Sequence, residues 1–280
     1  MKVALAQLNP KVGDIEGNLA RALAALSRTG PQAPDLVVFS ELFLTGYPPQ
    51  DLLERSWFIE RQEKALAELT EAARKYPETG IVIGAALPSR KDSGRGLFSS
   101  AVLIYQGRIL FQQHKSLLPT YDVFDEARYF DPADKIRTVP FKGRTLGLSV
   151  CEDAWNPPDF QPQGKHYTLD PIGVLAEDGA DLFINVSASP FHVGKDEQRY
   201  RLVNSHAARH GVPFVFVNQV GGNDELVFDG RSMCLDKNGA PVCLCPPFRE
   251  HVQTIDIDGP GGKGLFEPQD RIESVHQALI

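Results

Sequence analysis

The feature that most constrains this chain is a series of short apolar runs that neither alternate with polar residues nor reach helical length. They are "DLVVFSE" (35–41), "IVIGAAL" (81–87), "LGLSV" (146–150), "DLFINVSAS" (181–189) and "PFVFVNQV" (213–220). Such runs read as strands buried on both faces, so something must cover each side of the sheets they form. The opening "KVALAQL" (2–8) does alternate, with Val3, Leu5 and Gln7 facing away from Ala4, Ala6 and Leu8. Helical periodicity supplies the cover: "GNLARALAALSRTG" puts Leu19, Leu23 and Leu26 on one face and stops at Gly30. Further helices are expected over 53–75, where Pro77 and Gly80 follow, and over 171–178 and 195–210. Hairpins are expected at Gln106-Gly107 and Lys142-Gly143, with more strand-like stretches at 226–235, 241–245 and 252–257. About a dozen strands and four or five helices result. Two sheets face to face, each covered outside by helices, accommodate them as an α/β four-layer α-β-β-α sandwich.

At 280 residues the chain is long enough for one large core. A formal net charge of -7 with no basic stripe argues against nucleic acid as a partner, since clusters such as Arg74-Lys75 are single solvated pairs. No run approaches the roughly 18 apolar residues of a membrane helix. "MKVALAQLNP" is interrupted by Pro10 too early to serve as an export signal. The four cysteines, Cys151, Cys234, Cys243 and Cys245, form no C-x-x-C pair and are expected as reduced thiols in the cytoplasm.

One of those thiols sits where chemistry is favoured. In "GRTLGLSVCEDAW", Cys151 follows a buried strand directly, where the turn exposes a side chain and brings unpaired backbone N–H groups to a ligand. A buried cysteine that merely packs gives the same pattern. A thiol with an ordinary pKa of about 8.5 is mostly protonated at neutral pH, so catalysis needs a base or cation beside it. The chain offers Glu41, ending the run "VVFSE", and Lys115, ending "ILFQQHK". A structural Glu-Lys pair would look identical in sequence, but three charged or nucleophilic strand ends facing one cleft are more telling than any one.

These three blocks, "FSELFLTGYP", "QHKSLLPTYDVFDEARYF" and "GLSVCEDAW", resemble those of the nitrilase superfamily of carbon-nitrogen hydrolases, and more narrowly the glutaminase domain of glutamine-dependent NAD synthetases. The resemblance runs from "VALAQLNPKVGDIEGNL" through "SPFHVGKDEQR" to the last residues. It implies the nitrilase-like form of the sandwich and a Glu-Lys-Cys triad. Glu41 would be general base, Cys151 the nucleophile and Lys115 the stabiliser of the tetrahedral intermediate, with the backbone N–H of Glu152 as second donor. Glu126 would orient the lysine and substrate. Tyr47, Tyr121, Phe124, Glu152 and Ser189 fall in blocks that shape the glutamine pocket. The triad needs no metal and no cofactor. The resemblance also implies a homo-oligomer.

By the same resemblance, residues 1–258 would be the glutamine amidohydrolase domain and 259–280 a loop and the start of a connection to a synthetase domain. That domain would use ATP and magnesium to amidate nicotinic acid adenine dinucleotide with the released ammonia. Its nucleotide loop is not found here: "GGND" (221–224) lacks the S-G-G-x-D-S frame, and "GPGGKG" (259–264) has Gly264 where a phosphate loop requires Ser or Thr, so it is expected as a flexible loop. The ending "FEPQDRIESVHQALI" starts an apolar helix, with Val275 and Leu279 four apart, so the chain is expected to be part of a longer enzyme. The alternatives are a free-standing amidase for another ω-amide or small linear amide, and a silent interaction domain in which Cys151 packs. Ser149 misses a G-x-S-x-G elbow because Cys151 replaces the second glycine. "HAARH" (206–210) lacks the glutamate of H-E-x-x-H and is expected as a solvated helix face rather than a zinc site.

Overall fold

The computed structural model describes residues 1–89, 93–156, 167–259 and 266–280. The glycine-rich stretch expected as a loop at 259–264 lies outside the described residues from 260 onward. In chain order the elements are β1 (Lys2–Gln7), α1 (Ile15–Thr29), β2 (Leu36–Val38), α2 (Ser56–Ala72), β3 (Gly80–Pro88), β4 (Leu97–Tyr105) and β5 (Arg108–His114). There follow β6 (Val139–Phe141), β7 (Arg144–Val150), α3 (Pro171–Glu177), β8 (Leu182–Ser187), α4 (Lys195–His210), β9 (Phe214–Asn218) and β10 (Val220–Asn223). Then come β11 (Leu226–Asp229), β12 (Met233–Leu235), β13 (Pro241–Leu244), β14 (His251–Asp256) and α5 (Arg271–Leu279).

The strands build two six-stranded sheets, ordered β14-β1-β2-β3-β4-β5 and β13-β12-β9-β8-β7-β6, with β10 and β11 as a separate ribbon. Each sheet has a parallel centre, β1-β2-β3 in one and β7-β8-β9 in the other, flanked by antiparallel strands. Side-chain alternation then sorts the core into three layers. Val3, Leu5, Leu36 and Val38 of the first sheet meet Leu146, Leu148, Val150, Leu182 and Ile184 of the second. Ala4, Ala6 and Val37 point the other way, onto Leu19, Ala22, Leu26, Leu66 and Leu69 of α1 and α2. Phe183, Phe214 and Phe216 point away from the first sheet onto Leu175, Leu202 and Val203 of α3 and α4. This is the expected α-β-β-α sandwich, and it explains why the central runs show no polar face.

Local chemistry ends the elements. Asp14 caps α1 by accepting the Gly17 N–H at 3.1 Å, and Asp170 caps α3 by accepting that of Gly173 at 3.1 Å. Both expected hairpins turn through positive φ, 52° and 76° at Gln106-Gly107 and 47° and 79° at Lys142-Gly143, the geometry that matches strand twist. Two expectations are corrected. The helix expected over 53–75 is regular only from Ser56 to Ala72, with 3₁₀ turns at Gln50–Glu54 and Ala73–Lys75. The stretch expected as one strand over 226–235 is two, because Gly230 and Arg231 adopt φ of 69° and 57° and carry the chain from the ribbon to the second sheet.

Candidate active site

The three chemistry-bearing strand ends converge at one edge of the inter-sheet layer. Lys115 directly follows β5 and Cys151 directly follows β7. Glu41 lies three residues past the end of β2. There the chain still clings to β3, since Phe39 N–H donates to Val82 O at 2.8 Å and Gly84 N–H to Ser40 O at 3.1 Å. Gly84 makes that approach possible: a Cβ there would lie 2.3 Å from Leu42 N and 2.5 Å from Glu41 Cα. The other sheet holds Glu41 from its far side, with Ala188 N–H donating to Oε2 at 3.2 Å just past β8.

Lys115 is the centre of the cluster. Its Nζ lies 2.7 Å from Glu41 Oε1 and 2.8 Å from Glu126 Oε1, and Tyr47 Oη donates to that same Glu126 oxygen at 2.8 Å. Glu41, Lys115, Glu126 and Tyr47 are all buried. Burial works against the Lys115 ammonium, but Glu126 and Glu41 outweigh it and hold it protonated well above the ordinary lysine range. Burial pushes the Glu41 carboxyl up to about 7, opposed by Lys115 and by a hydrogen bond from the Cys151 thiol. Burial and then the Glu41 charge push that thiol well above the ordinary cysteine range. At neutral pH the arrangement is therefore a thiol donating to an ionised or half-ionised carboxylate, with a fixed cation beside it. A base can take the proton only as the sulfur attacks.

Cys151 itself has φ of 41°, a left-handed backbone that a residue with a Cβ adopts at a cost of about 1–3 kcal/mol. Its surroundings hold it there. Asn185, a lone amide in the apolar strand β8, donates from Nδ2 to Ser149 Oγ at 2.9 Å and to Cys151 O at 3.4 Å. Asp153 accepts the Val150 N–H at 3.0 Å, and His206 Nε2 lies 2.7 Å from Ala154 O. His206 thus corrects the expectation of a solvated helix face: it is fully buried, on the same side of α4 as Leu202 and Ala207. Burial drives its pKa down to about 4.

The candidate pocket residues separate into two groups. Glu152 Oε1 accepts from Tyr121 Oη at 2.8 Å and Tyr167 Oη at 2.9 Å, and burial raises its carboxyl above the usual range. Ser189 is gripped through its backbone, its N–H 2.8 Å from Asn218 Oδ1 and its carbonyl 3.0 Å from Asn218 Nδ2. Tyr47, Phe124 and Glu126 instead line a cavity of about 240 Å³ together with Pro48, Leu53 and Tyr129. Phe124 also packs edge-on against Tyr121, with ring centroids 5.7 Å apart.

Sequence reasoning missed four residues here, Asn185 described above among them. Tyr167 doubles the grip on Glu152. Asp153 ties the cysteine turn to the lysine loop, with Oδ1 accepting the N–H groups of Ser116 at 2.8 Å and Leu117 at 2.9 Å. Lys195, at the start of α4, lies with Nζ 3.9 Å from the centroid of the Trp155 ring. Burial, with Arg199 adding to it, lowers Lys195 to about 8, while Glu152 and Cys151 pull the other way. The cue for Lys195 was a charged residue one step after a glycine at the predicted start of a helix, a weak signal. For Asn185 it was an amide inside an apolar run. Among the described residues, no group of three or more His, Cys, Asp or Glu side chains could hold a metal ion, and no helix is long and apolar enough to cross a membrane.

Residues 2–261 match the Carbon-nitrogen hydrolase family. The glutamine-dependent NAD(+) synthetase of Synechocystis sp. is 40% identical over 286 residues, covering 99% of this chain and 51% of that protein. The solved structure of glutamine-dependent NAD+ synthetase from Acinetobacter baumannii in complex with ADP superposes with a TM-score of 0.87 at 30% identity, over 99% of this chain and 50% of that one. An amidase of the nitrilase superfamily from Nesterenkonia AN1 shares the fold with a TM-score of 0.78 at 23% identity, over 91% of this chain and 90% of that one. The chain spans about half the length of the synthetases it matches. With one family covering nearly the whole sequence and its sandwich recurring in these relatives, this chain belongs to the carbon-nitrogen hydrolases.

Proposed function

We propose that this chain hydrolyses the side-chain amide of glutamine through a thioester on Cys151, and that it is the glutaminase part of a glutamine-dependent NAD synthetase. One observation carries the chemistry: Glu41, which the Cys151 thiol faces as a hydrogen-bond donor, is also paired at 2.7 Å with a buried Lys115 that Glu126 holds in turn. In the first half-reaction the thiol proton passes to Glu41 while sulfur attacks the amide carbon. The carbonyl oxygen takes up negative charge beside Lys115 and the Glu152 backbone N–H. Glu41 then protonates the departing nitrogen, which leaves as ammonia, and the thioester remains. In the second half-reaction Glu41 takes a proton from water as it attacks, and returns it to sulfur as glutamate leaves.

Glu126 and Tyr47 orient Lys115 in this reading. The mouth of the site carries the charges that a free amino acid requires. Glu152, held by Tyr121 and Tyr167, suits the α-ammonium, and Lys195 suits the α-carboxylate, with Phe124 and Ser189 completing the pocket. The half-length match to synthetases supports residues 1–258 as the amidohydrolase domain and 259–280 as the beginning of a connection. ATP and magnesium would then serve a synthetase domain that takes the ammonia, within a cytoplasmic homo-oligomer.

The test is ammonia and glutamate release from glutamine, compared with asparagine and propionamide, by the chain and by Cys151→Ala. Turnover of glutamine alone, abolished in the variant, is expected. Preferential turnover of a simple amide would overturn glutamine as the substrate and favour the free-standing amidase.

A further inference from the structure

Asp153 is a buried carboxylate whose hydrogen bonds, among the described residues, run to backbone N–H groups and join two loops. Oδ1 accepts the N–H groups of Ser116 and Leu117, the two residues after Lys115, at 2.8 and 2.9 Å. Oδ2 accepts the Val150 N–H, one residue before Cys151, at 3.0 Å. The two segments come from different sheets, since Lys115 follows the edge strand β5 of the first and Cys151 follows β7 of the second. The Lys115 backbone is also pinned, its N–H to Ser99 O of β4 at 2.8 Å and its carbonyl to Ala133 N–H at 2.9 Å. Asp153 thus ties the backbone directly after Lys115 to the backbone directly before Cys151, beside the Tyr121–Glu152 hydrogen bond farther along the same two segments, and that turn carries the left-handed φ of 41° at Cys151.

We propose that Asp153 is a positioning residue of the reaction: its carboxylate sets the distance between Lys115 and Cys151 and holds the nucleophile in its strained backbone. An oxyanion donor works only where its N–H aims at the developing charge, and an error of about 1 Å costs on the order of a hundredfold. Three N–H donors need acceptor oxygen on both sides, which an ionised carboxylate has and an amide lacks. Burial raises the Asp153 carboxyl to about 6, partly offset by those N–H groups and by Lys115, so the anion is kept at neutral pH despite the cost of desolvation.

The proposal rests on Cys151 as nucleophile, and its test separates the two claims. Asp153→Asn keeps the volume but turns an N–H donor toward either Val150 or the Ser116-Leu117 pair. We expect kcat for glutamine to fall at least tenfold with KM changed less than threefold. The rate of Cys151 alkylation by iodoacetamide, followed by peptide mass spectrometry, should fall in parallel. Asp153→Ser, whose hydroxyl reaches one of the two loops, is the second variant and should lose activity in the same manner. A native chain whose Cys151 resists alkylation overturns the nucleophile. A reactive native chain with equally reactive variants, or variants whose kcat per folded molecule is unchanged, overturns the positioning role alone. If neither variant folds, Asp153 serves the fold and the proposal fails.

Discussion

Lys115 Nζ and Glu41 Oε1 lie 2.7 Å apart with both side chains sealed from solvent, one from the edge strand and the other from the centre of the same sheet. A buried ion pair of this kind is weak evidence of stability, because desolvation consumes much of the attraction, and stronger evidence that the charges are needed where they are.

The first consequence is a pH dependence. In the proposed reaction Glu41 accepts the thiol proton only when ionised, and its pKa stands raised to about 7, so protonation below that value would remove the base. We expect kcat/KM to climb by roughly tenfold per pH unit up to about 7 and then level. Glu41→Gln should lose at least about a thousandfold at all pH values. A flat profile between pH 5.5 and 8, measured by ammonia release, would exclude Glu41 as the titrating base.

Gly84 yields a prediction about how Glu41 is placed. A methyl group at this position meets backbone 2.3 Å away, at Leu42, and backbone cannot rotate aside. Gly84→Ala should therefore push the Glu41 segment off β3, lowering stability by about 1–3 kcal/mol and activity by at least tenfold. Thermal unfolding together with turnover tests this; a variant with native activity would mean Glu41 is placed by other contacts.

Substrate charges should be read in KM. Neutralising Lys195 (Lys195→Met) or Glu152 (Glu152→Gln) removes a contact made equally in ground and transition states, so KM for glutamine should rise about 10- to 100-fold with kcat little changed. For simple amides, which lack the α-groups, the same variants should behave like the native chain. Equal losses on both substrates would place these residues in the chemistry or the fold.

His206 predicts a stability effect with a definite sign. Its folded pKa is depressed to about 4 from 6.5, so the unfolded chain binds the proton more readily between those values. Its contribution is complete above about pH 6.5 and is lost as pH falls toward 4, up to about 3 kcal/mol. His206→Gln should flatten this part of the stability curve in urea unfolding between pH 4.5 and 7.5. An unchanged slope would mean that His206 is not the buried neutral imidazole.

The fold was legible because burial on both faces leaves a trace: β7, β8 and β9 place apolar residues on both faces rather than on one, with only isolated polar members such as Ser149 and Asn185, and a covered sheet accounts for that. The positions of Cys151 and Lys115 at strand ends were legible for the same reason, each directly following such a run. Glu41 was nearly so, though β2 stops at Val38 and the next residues hold on by single hydrogen bonds. His206 was misread although the cue was present, since Leu202 lies four residues earlier and Ala207 adjoins it on the inward face. Asp153 was out of reach, and Lys195 left only a weak cue. What Asp153 does depends on the N–H groups of Ser116 and Leu117, more than thirty residues away, and the ring that receives Lys195 belongs to another element.

The central claim is that Cys151 is an activated nucleophile inside a glutamine-shaped pocket. A diazoketone analogue of glutamine, which alkylates a nucleophilic thiol with loss of dinitrogen, followed by intact-mass spectrometry tests it most directly. The account predicts one adduct on Cys151, slowed by glutamine and absent from Cys151→Ala. Labelling of Cys234, Cys243 or Cys245 instead, or none at all while iodoacetamide still modifies Cys151, would contradict it.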